Sequence, residues 1–165
     1  MPNPFDRDDL LLAWIAGFFD GEGCVIVELS NMPGCIRGKR TSLHATLTQT
    51  STECLEIVKE RFGGNIKVSD VRKENTRRWA VQYTWVVRNE NALKFFEEIL
   101  PYSVVKKSQI ELALQYPMYA QNGKKFGNSS NPMPDDVWEK RLQIRLGLQE
   151  IRQSMKTAAT VLEAA

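Results

Sequence analysis

The stretch from Leu10 to Gly23 constrains the fold more than any other part of the chain. Residues 10–19 carry no charge, and the acidic, glycine-rich segment Asp20-Gly21-Glu22-Gly23 follows at once. The apolar residues occur on every side of the predicted helix, so both of its faces should be buried. The stretch is too short to cross a bilayer, and we therefore expect it to be buried within protein.

The length and composition are those of one globular domain. A chain of 165 residues is long enough to enclose a substantial core. The three cysteines (Cys24, Cys35 and Cys54) form neither an even disulfide set nor a metal-binding pair. No signal-peptide pattern opens the sequence. We expect an intracellular, reducing environment, either the cytoplasm of a prokaryote or an organelle, and no membrane partner.

Charge is distributed unevenly along the chain. The formal net charge is only +2, but residues 1–60 carry five basic and nine acidic side chains, whereas residues 61–165 carry seventeen and eleven. Basic clusters on loops and strand ends can follow a phosphate backbone without a high overall charge. Charge alone favours an ordinary solvated surface over a nucleic-acid contact, and both interpretations stay open at this point.

The hydrophobic pattern predicts an α+β fold. The predicted elements are a helix over about 7–19, strands over 24–30 and 41–49, a helix over 52–62, strands over 65–71 and 78–87, helices over 89–100 and 105–116, and a long helix over 135–155. The order α-β-β-α-β-β-α predicts a four-stranded antiparallel sheet with helices on one face. The core then covers about 6–116 of a single domain, with a C-terminal helical extension at about 134–156.

Several predicted helix ends follow from capping and glycine preferences. Asp6 and Asn89 are predicted N-caps, and Gly21 and Gly23 are expected to end the first helix through positive φ or close backbone approach. The last helix should bury one apolar side, made of Val137, Trp138, Leu142, Leu146 and Ile151.

One face of the predicted sheet is polar. Its side chains suit hydrogen bonds to base edges, and a two-stranded ribbon fits the major groove of DNA. Antiparallel sheets also commonly leave one face to solvent, so the face alone does not decide between the two interpretations.

The segment Ile15-Ala16-Gly17-Phe18-Phe19-Asp20-Gly21-Glu22-Gly23 resembles the motif of LAGLIDADG homing endonucleases. The resemblance covers roughly residues 10–116 and agrees with the predicted element order. Because the chain has one copy of the motif, it resembles the homodimeric branch of that family. This implies that the motif helices of two subunits pack together, through Leu10, Ala13, Trp14, Gly17 and Gly21.

The resemblance also implies a metal-dependent active site at the end of the motif helix. Two helix ends bring two Glu22 carboxylates together, and a cation is needed to relieve their repulsion. We expect Mg²⁺, for which Mn²⁺ can substitute, with Glu22 and the Gly21 carbonyl as ligands. The family more often has aspartate at the position of Glu22. Asp20 is the rival ligand, and its motif position favours a bracing role.

Two further catalytic residues follow from the resemblance. Gln49 matches a family glutamine that positions water near the metal, and Lys106 matches a family lysine near the scissile phosphate. Lys107 is an adjacent competitor for the role of Lys106. From the residues alone, Gln49 would be a polar strand end and Lys106 a surface lysine.

Family members read long, nearly palindromic DNA sites with both hairpins. The implied base contacts are Ile26, Glu28, Ser30, Arg40, Ser42, His44, Thr46, Thr48, Asn65, Lys67, Ser69, Arg78, Gln82 and Thr84, and the implied phosphate contacts are Arg37, Lys39, Lys140 and Arg141. The leading hypothesis is an intron-encoded, site-specific endonuclease acting on double-stranded DNA. The alternatives are a maturase that binds intron RNA and a non-catalytic DNA-binding regulator.

Overall fold

The computed structural model describes residues 7–69, 81–127 and 131–163. Its elements are α1 (Asp8–Glu22), β1 (Gly23–Asn31), β2 (Lys39–Gln49), α2 (Glu53–Phe62), β3 (Asn65–Ser69), β4 (Gln82–Arg88), α3 (Glu90–Ile99), a 3₁₀ turn (Leu100–Tyr102), α4 (Lys107–Ala113) and α5 (Asp135–Glu163). The strands form one antiparallel sheet in the order β1-β2-β4-β3. The predicted α+β class and element order are confirmed.

Strand alternation separates the two sheet faces as the sequence predicts. The face under the helices is buried and contributes Val25, Val27, Leu43, Ala45, Leu47, Trp85 and Val87. The register pairs Gly23 with Leu47, and Thr48 with Thr84. The opposite, polar face therefore combines residues from all four strands, as a continuous surface beside the end of α1.

An aromatic cluster joins α1 to the sheet. The Phe95 ring of α3 lies at its centre, with ring centroids 5.1 Å from Phe19, 4.9 Å from Phe62 and 5.2 Å from Trp85. Most contacts are edge-on or tilted, the favourable geometry for aromatic pairs. Phe19 is fully buried, so the cluster fixes the last turn of α1 and, with it, the acidic segment.

The ends of α1 differ from the prediction. The helix continues through Asp20 and Gly21 to Glu22, so the acidic segment forms its last turn and not a separate turn. Gly23 has an extended φ of −82°, and Gly21 is likewise absent from the residues with positive φ. Close approach is the reason for glycine at 23, since an added Cβ would lie 2.2 Å from Cδ2 of Phe19. Asp6 lies outside the described residues, and Arg7 occupies the N-cap position.

Two other expectations are corrected. Asn89 occupies the N-cap position of α3, as predicted, but its side chain makes no capping hydrogen bond; its Oδ1 accepts hydrogen bonds from Ser42 Oγ and the Leu43 amide. The buried side of α5 includes Ile144 and Leu148, whereas Leu146 is 53% exposed. Since Val137, Trp138, Leu142 and Ile151 are half-buried, the predicted apolar side of α5 is wrong at Leu146 and omits Ile144 and Leu148.

Candidate active site and nucleic-acid surface

The last turn of α1 presents one carboxylate to the surface. Glu22 and Gly21 are exposed there, where the final carbonyls lack intrahelical partners and carry partial negative charge. Together with these carbonyls, the Glu22 carboxylate makes the helix end strongly negative and rich in oxygen atoms. Such a location favours a cation.

Asp20 is committed to hydrogen bonds within the subunit. Its Oδ1 accepts from Ser103 Oγ at 2.6 Å and from the Lys106 amide at 3.0 Å, and its Oδ2 accepts from the Val104 and Val105 amides at 2.7 and 3.0 Å. Burial alone would raise the pKa of Asp20, but these hydrogen bonds outweigh it and lower the pKa. The contacts are those of a residue that braces α1 against the segment leading into α4.

The brace places Lys106 at the end of α1. The Lys106 Nζ donates to the Asp20 carbonyl and lies 6.0 Å from the Phe19 ring centroid. Burial lowers the pKa of Lys106, while the nearby side chains of Asp20, Cys24 and Glu22 oppose this electrostatically. Lys106 is half-buried and Lys107 is exposed, so the structure brings Lys106, of the two lysines, to the acidic helix end.

Gln49 ends β2 close to the same point in the sheet register. Gly23, the first residue of β1, pairs with Leu47 of the antiparallel strand β2. Gln49 lies two residues beyond Leu47, in the direction in which Glu22 and α1 precede Gly23. The Gln49 side chain is half-buried, and its Oε1 lies 3.2 Å from the Thr50 amide that donates to it. Gln49 therefore lies at the same end of the sheet as Glu22.

The donor set of a single subunit fits only part of a divalent-metal site. Within residues 7–69, 81–127 and 131–163, no three His, Cys, Asp or Glu side chains form a metal-binding group. Asp20 is already occupied, which leaves Glu22 and the adjacent Gly21 carbonyl. Both are hard oxygen donors of the kind that Mg²⁺ accepts. A complete coordination shell requires oxygen atoms from outside this chain.

A stripe of small and apolar residues along α1 remains uncovered. Leu10, Ala13, Gly17 and Gly21 are exposed at helical spacing, and an added Cβ at Gly17 or Gly21 would meet no atom within 4 Å. Trp14, also predicted for this stripe, is half-buried and stacks on Phe18 with a centroid distance of 5.5 Å. The subunit alone therefore buries only one of the two apolar faces of α1.

Positive charge gathers on the polar face of the sheet around one buried histidine. The His44 Nε2 lies 2.9 Å from Ser42 Oγ, accepts from Arg88 Nε at 3.2 Å and lies 3.4 Å from a Glu28 carboxylate oxygen. Burial is the main cause that lowers the pKa of His44, and the positive charges of Arg88, Arg40 and Lys67 lower it further. The negative charge of Glu28 opposes this only in part. The face is therefore cationic and lies over a neutral histidine.

The predicted DNA contacts fall into distinct groups. Exposed positions are Glu28, Lys39, Arg40, Asn65, Lys67 and Lys140, and half-buried positions are Ile26, Ser30, Thr46, Thr48, Gln82 and Thr84. Ser69 pairs with Gln82 in the register, and Arg78 lies outside the described residues. Ser42 and His44 lie on the expected face but are buried, so Glu28 and Arg88 form the surface there.

Two predicted phosphate contacts have internal partners. Arg141 is only 4% exposed, and its guanidinium donates to the Pro117 carbonyl and to Thr41 Oγ1. Arg141 is thus an internal structural residue and not the surface contact that its sequence position predicted. Arg37 donates to the Met133 carbonyl and pairs with Asp135, so its charge is already partly neutralised.

Sequence reasoning missed two residues of this region. Ser103 is buried and donates to Asp20, and no local pattern singles out such a partner. Arg88 belongs to the polar face because β4 continues one residue beyond the predicted end at Val87. Extending the two-residue alternation from Gln82 and Thr84 would have identified it.

Solved structures with this fold define the class. The chain superimposes on the DNA complex of the archaeal intron-encoded homing endonuclease I-Vdi141I with a TM-score of 0.67 at 21% identity, covering 88% of this chain and 86% of that one. A complex of the homing endonuclease I-CvuI with a DNA target, in the presence of Mg, gives a TM-score of 0.66 at 22% identity, covering 87% and 83%. The architecture is that of a homing endonuclease.

Sequence comparison defines the family. A family model of LAGLIDADG-like domains matches residues 9–100, and the chain therefore belongs to the LAGLIDADG family of homing endonucleases. It is 28% identical to the DNA endonuclease I-CvuI of Chlorella vulgaris over 76% of this chain and 71% of that protein. It is 23% identical to the intron-encoded DNA endonuclease ai2b of Dictyostelium discoideum, over 78% of this chain and 46% of that protein.

The described helices show no membrane-crossing segment. Within the three described ranges, none is both long and apolar enough to span a bilayer.

Proposed function

We propose that this protein is a site-specific homing endonuclease that makes a double-strand break in a long, pseudo-palindromic DNA target by metal-dependent phosphodiester hydrolysis. The observation that carries the proposal is the exposed Glu22 carboxylate at the end of α1, with Lys106 held at the same helix end. A protein that only binds DNA has no need of this acidic and basic pair. The relatives are named as DNA endonucleases, which supports cleavage as the activity.

We propose that two copies form the functional unit. Packing the exposed stripe of Leu10, Ala13, Gly17 and Gly21 against its own copy would cover the second apolar face of α1. Small residues allow two helix backbones to approach closely. The same packing would bring two Glu22 carboxylates together and supply the oxygen donors that one subunit lacks.

Mg²⁺ or Mn²⁺ is the proposed cofactor, held by Glu22 and the Gly21 carbonyl. When bound, such an ion lowers the pKa of water and stabilises the leaving oxygen of a phosphodiester. Gln49 is proposed to orient the attacking water through its side-chain amide. Lys106 is proposed to place positive charge beside the phosphate as negative charge develops there.

The cationic face of the sheet is the proposed DNA-reading surface. Positive charge on this face comes from Arg40, Lys67 and Arg88. Hydroxyl groups on the same face come from Thr46, Thr48 and Thr84. Cations position the duplex through phosphates, and hydroxyls and amides read base edges. The surface therefore supplies both kinds of contact that a site-specific enzyme requires.

A random library of double-stranded DNA tests this proposal directly. We expect incubation with the protein and Mg²⁺ or Mn²⁺ to cleave only those library members that contain one long, nearly palindromic sequence, which is recovered when the two ends of each cut are read together. Chelation of the metal should prevent cleavage. Recovery of cleaved ends without a shared sequence would contradict site specificity. Binding of intron RNA with all DNA left intact would contradict the endonuclease assignment.

A further inference from the structure

Arg152 brings the C-terminal helix to the edge of the candidate active site. It lies on α5, where its Nε donates to the Leu148 carbonyl at 3.1 Å and its Nη1 lies 3.8 Å from the Cys24 Sγ. The bond to its own helix backbone restrains the guanidinium, because an arginine plane held at one edge loses most of its orientational freedom. The Arg152 side chain is therefore held in one orientation, and it is half-buried.

Cys24 connects this arginine to the catalytic candidates. It is the second residue of β1 and follows Glu22 by two positions. It is also close enough to Lys106 to influence the pKa of Lys106 electrostatically. By strand alternation it shares the polar sheet face with Ile26 and Glu28. The guanidinium therefore contacts the sheet at Cys24, two residues beyond the Glu22 carboxylate in sequence and on the strand that carries Glu28.

Among the described residues, the charge of Arg152 has no carboxylate partner. Arg37 and Arg61 pair with Asp135 and Glu98, whereas no carboxylate in the described part of the chain lies within ion-pair distance of Arg152. A carbonyl and a weakly accepting thiol use only two of its five N–H donors. A half-buried guanidinium with spare donors is suited to an anion supplied from outside, and phosphate matches its forked geometry.

We propose that Arg152 binds the DNA phosphate next to the cleaved bond, so that α5 contributes a cation to the active site. The proposal rests on the function proposed above. It assigns to the C-terminal helix a part in the reaction that the motif and the α-β-β-α-β-β-α core do not include. Lys106 would then approach the phosphate from the side of α4, and Arg152 from the side of α5.

The test compares Arg152→Gln with Arg145→Gln, a matched loss of charge two turns earlier on α5. Loss of one cation–phosphate contact reduces the steepness of the plot of log affinity against log salt concentration by about 0.9. We expect this reduction, per subunit, for Arg152→Gln. At saturating DNA, its cleavage rate should fall roughly 10²-fold, the usual loss for one electrostatic donor. Arg145→Gln should retain the wild-type cleavage rate.

Two further variants separate a phosphate contact from a packing role. Arg152→Lys keeps the charge and should restore the salt slope while recovering only part of the cleavage rate. Cys24→Ala removes the internal partner and should leave both readouts near wild type. An unchanged salt slope in Arg152→Gln, or the same losses in Cys24→Ala, would overturn the proposal. The salt slope needs only DNA binding, so a wild-type protein that binds without cutting would contradict the proposed function and leave this test intact.

Discussion

The brace around Asp20 shows how a single buried hydroxyl can control the position of Lys106, the proposed catalytic lysine. Ser103 donates to the same Asp20 oxygen that accepts from the Lys106 amide. Because the Lys106 Nζ donates in turn to the Asp20 carbonyl, the position of Lys106 depends on this local network at both its backbone and its side chain.

Ser103→Ala is expected to destabilise the protein and to slow cleavage. Loss of a buried hydrogen bond to a charged group costs about 1.5–3 kcal/mol, and the loosened segment carries Lys106 away from the helix end. Denaturant unfolding and single-turnover cleavage measure the two effects. Ser103→Thr keeps the hydroxyl and should largely restore both, whereas Ser108→Ala on exposed α4 surface should change neither. A normal cleavage rate in Ser103→Ala would contradict the positioning role.

His44 gives the fold a defined pH dependence. The pKa of His44 is lowered from 6.5 in the folded state, chiefly by burial, so below pH 6.5 the unfolded chain binds the proton more readily. The free energy of unfolding should therefore rise with pH up to about 6.5 and then level off. His44 is the only histidine, and unfolding of His44→Gln across pH 5–8 should lack this rise. An identical rise in the variant would assign it to other groups.

The contacts of two side chains, Asn89 and Arg141, could not be predicted from the sequence. The type and position of Asn89 predict a cap, yet its side chain bonds to β2, because a tertiary partner was available that no local pattern encodes. Arg141 was predicted at the surface for its charge, but its guanidinium packs over Tyr116 at 4.5 Å and bonds to Pro117. In both cases the partner is distant in sequence.

Among the elements, α1 is the helix on which the proposed subunit assembly depends. Adding a large side chain to its uncovered stripe should block assembly and leave the subunit folded, since an added Cβ at Gly17 meets nothing within the subunit. Gly17→Leu is therefore expected to sediment as a folded monomer and to lose double-strand cleavage.

The control for this variant is Gly34→Leu, which adds the same side chain at another open position. It should sediment and cleave as the wild type does. A Gly17→Leu protein that still forms dimers, or a wild-type protein that is monomeric with and without DNA, would contradict the shared-helix arrangement.

Elements were predicted best where a strong period governs them. Alternation in β1 and β2 placed Val25, Leu43 and Leu47 on the buried face correctly, because a slip of one residue would expose all of them. Helix α1 continues three residues beyond its predicted end at residue 19, because the glycine expected to stop it does not. Gly21 is instead accommodated within the last helical turn, and Gly23 is required by the Phe19 ring.

At the scale of the whole molecule, one subunit combines a cationic sheet face with an incomplete acidic site. The motif predicted the family and the location of Glu22, and the fold confirms that Lys106 lies beside that helix end. The sequence could not predict the path of α5, because the long 117–134 connection leaves its direction open. Its approach to Cys24 through Arg152 is visible only in three dimensions.

The most direct test of the account is double-strand cleavage of the selected DNA target by Glu22→Gln, measured beside its affinity for the same DNA. The substitution removes the charge of the exposed helix-end carboxylate and keeps its size. Glu97→Gln, at an exposed position on α3, is the matched control. We expect Glu22→Gln to bind the target as tightly as the wild type but no longer to cleave it, while Glu97→Gln should bind and cleave as the wild type does. Undiminished cleavage by Glu22→Gln would contradict the assignment of this helix end as the active site.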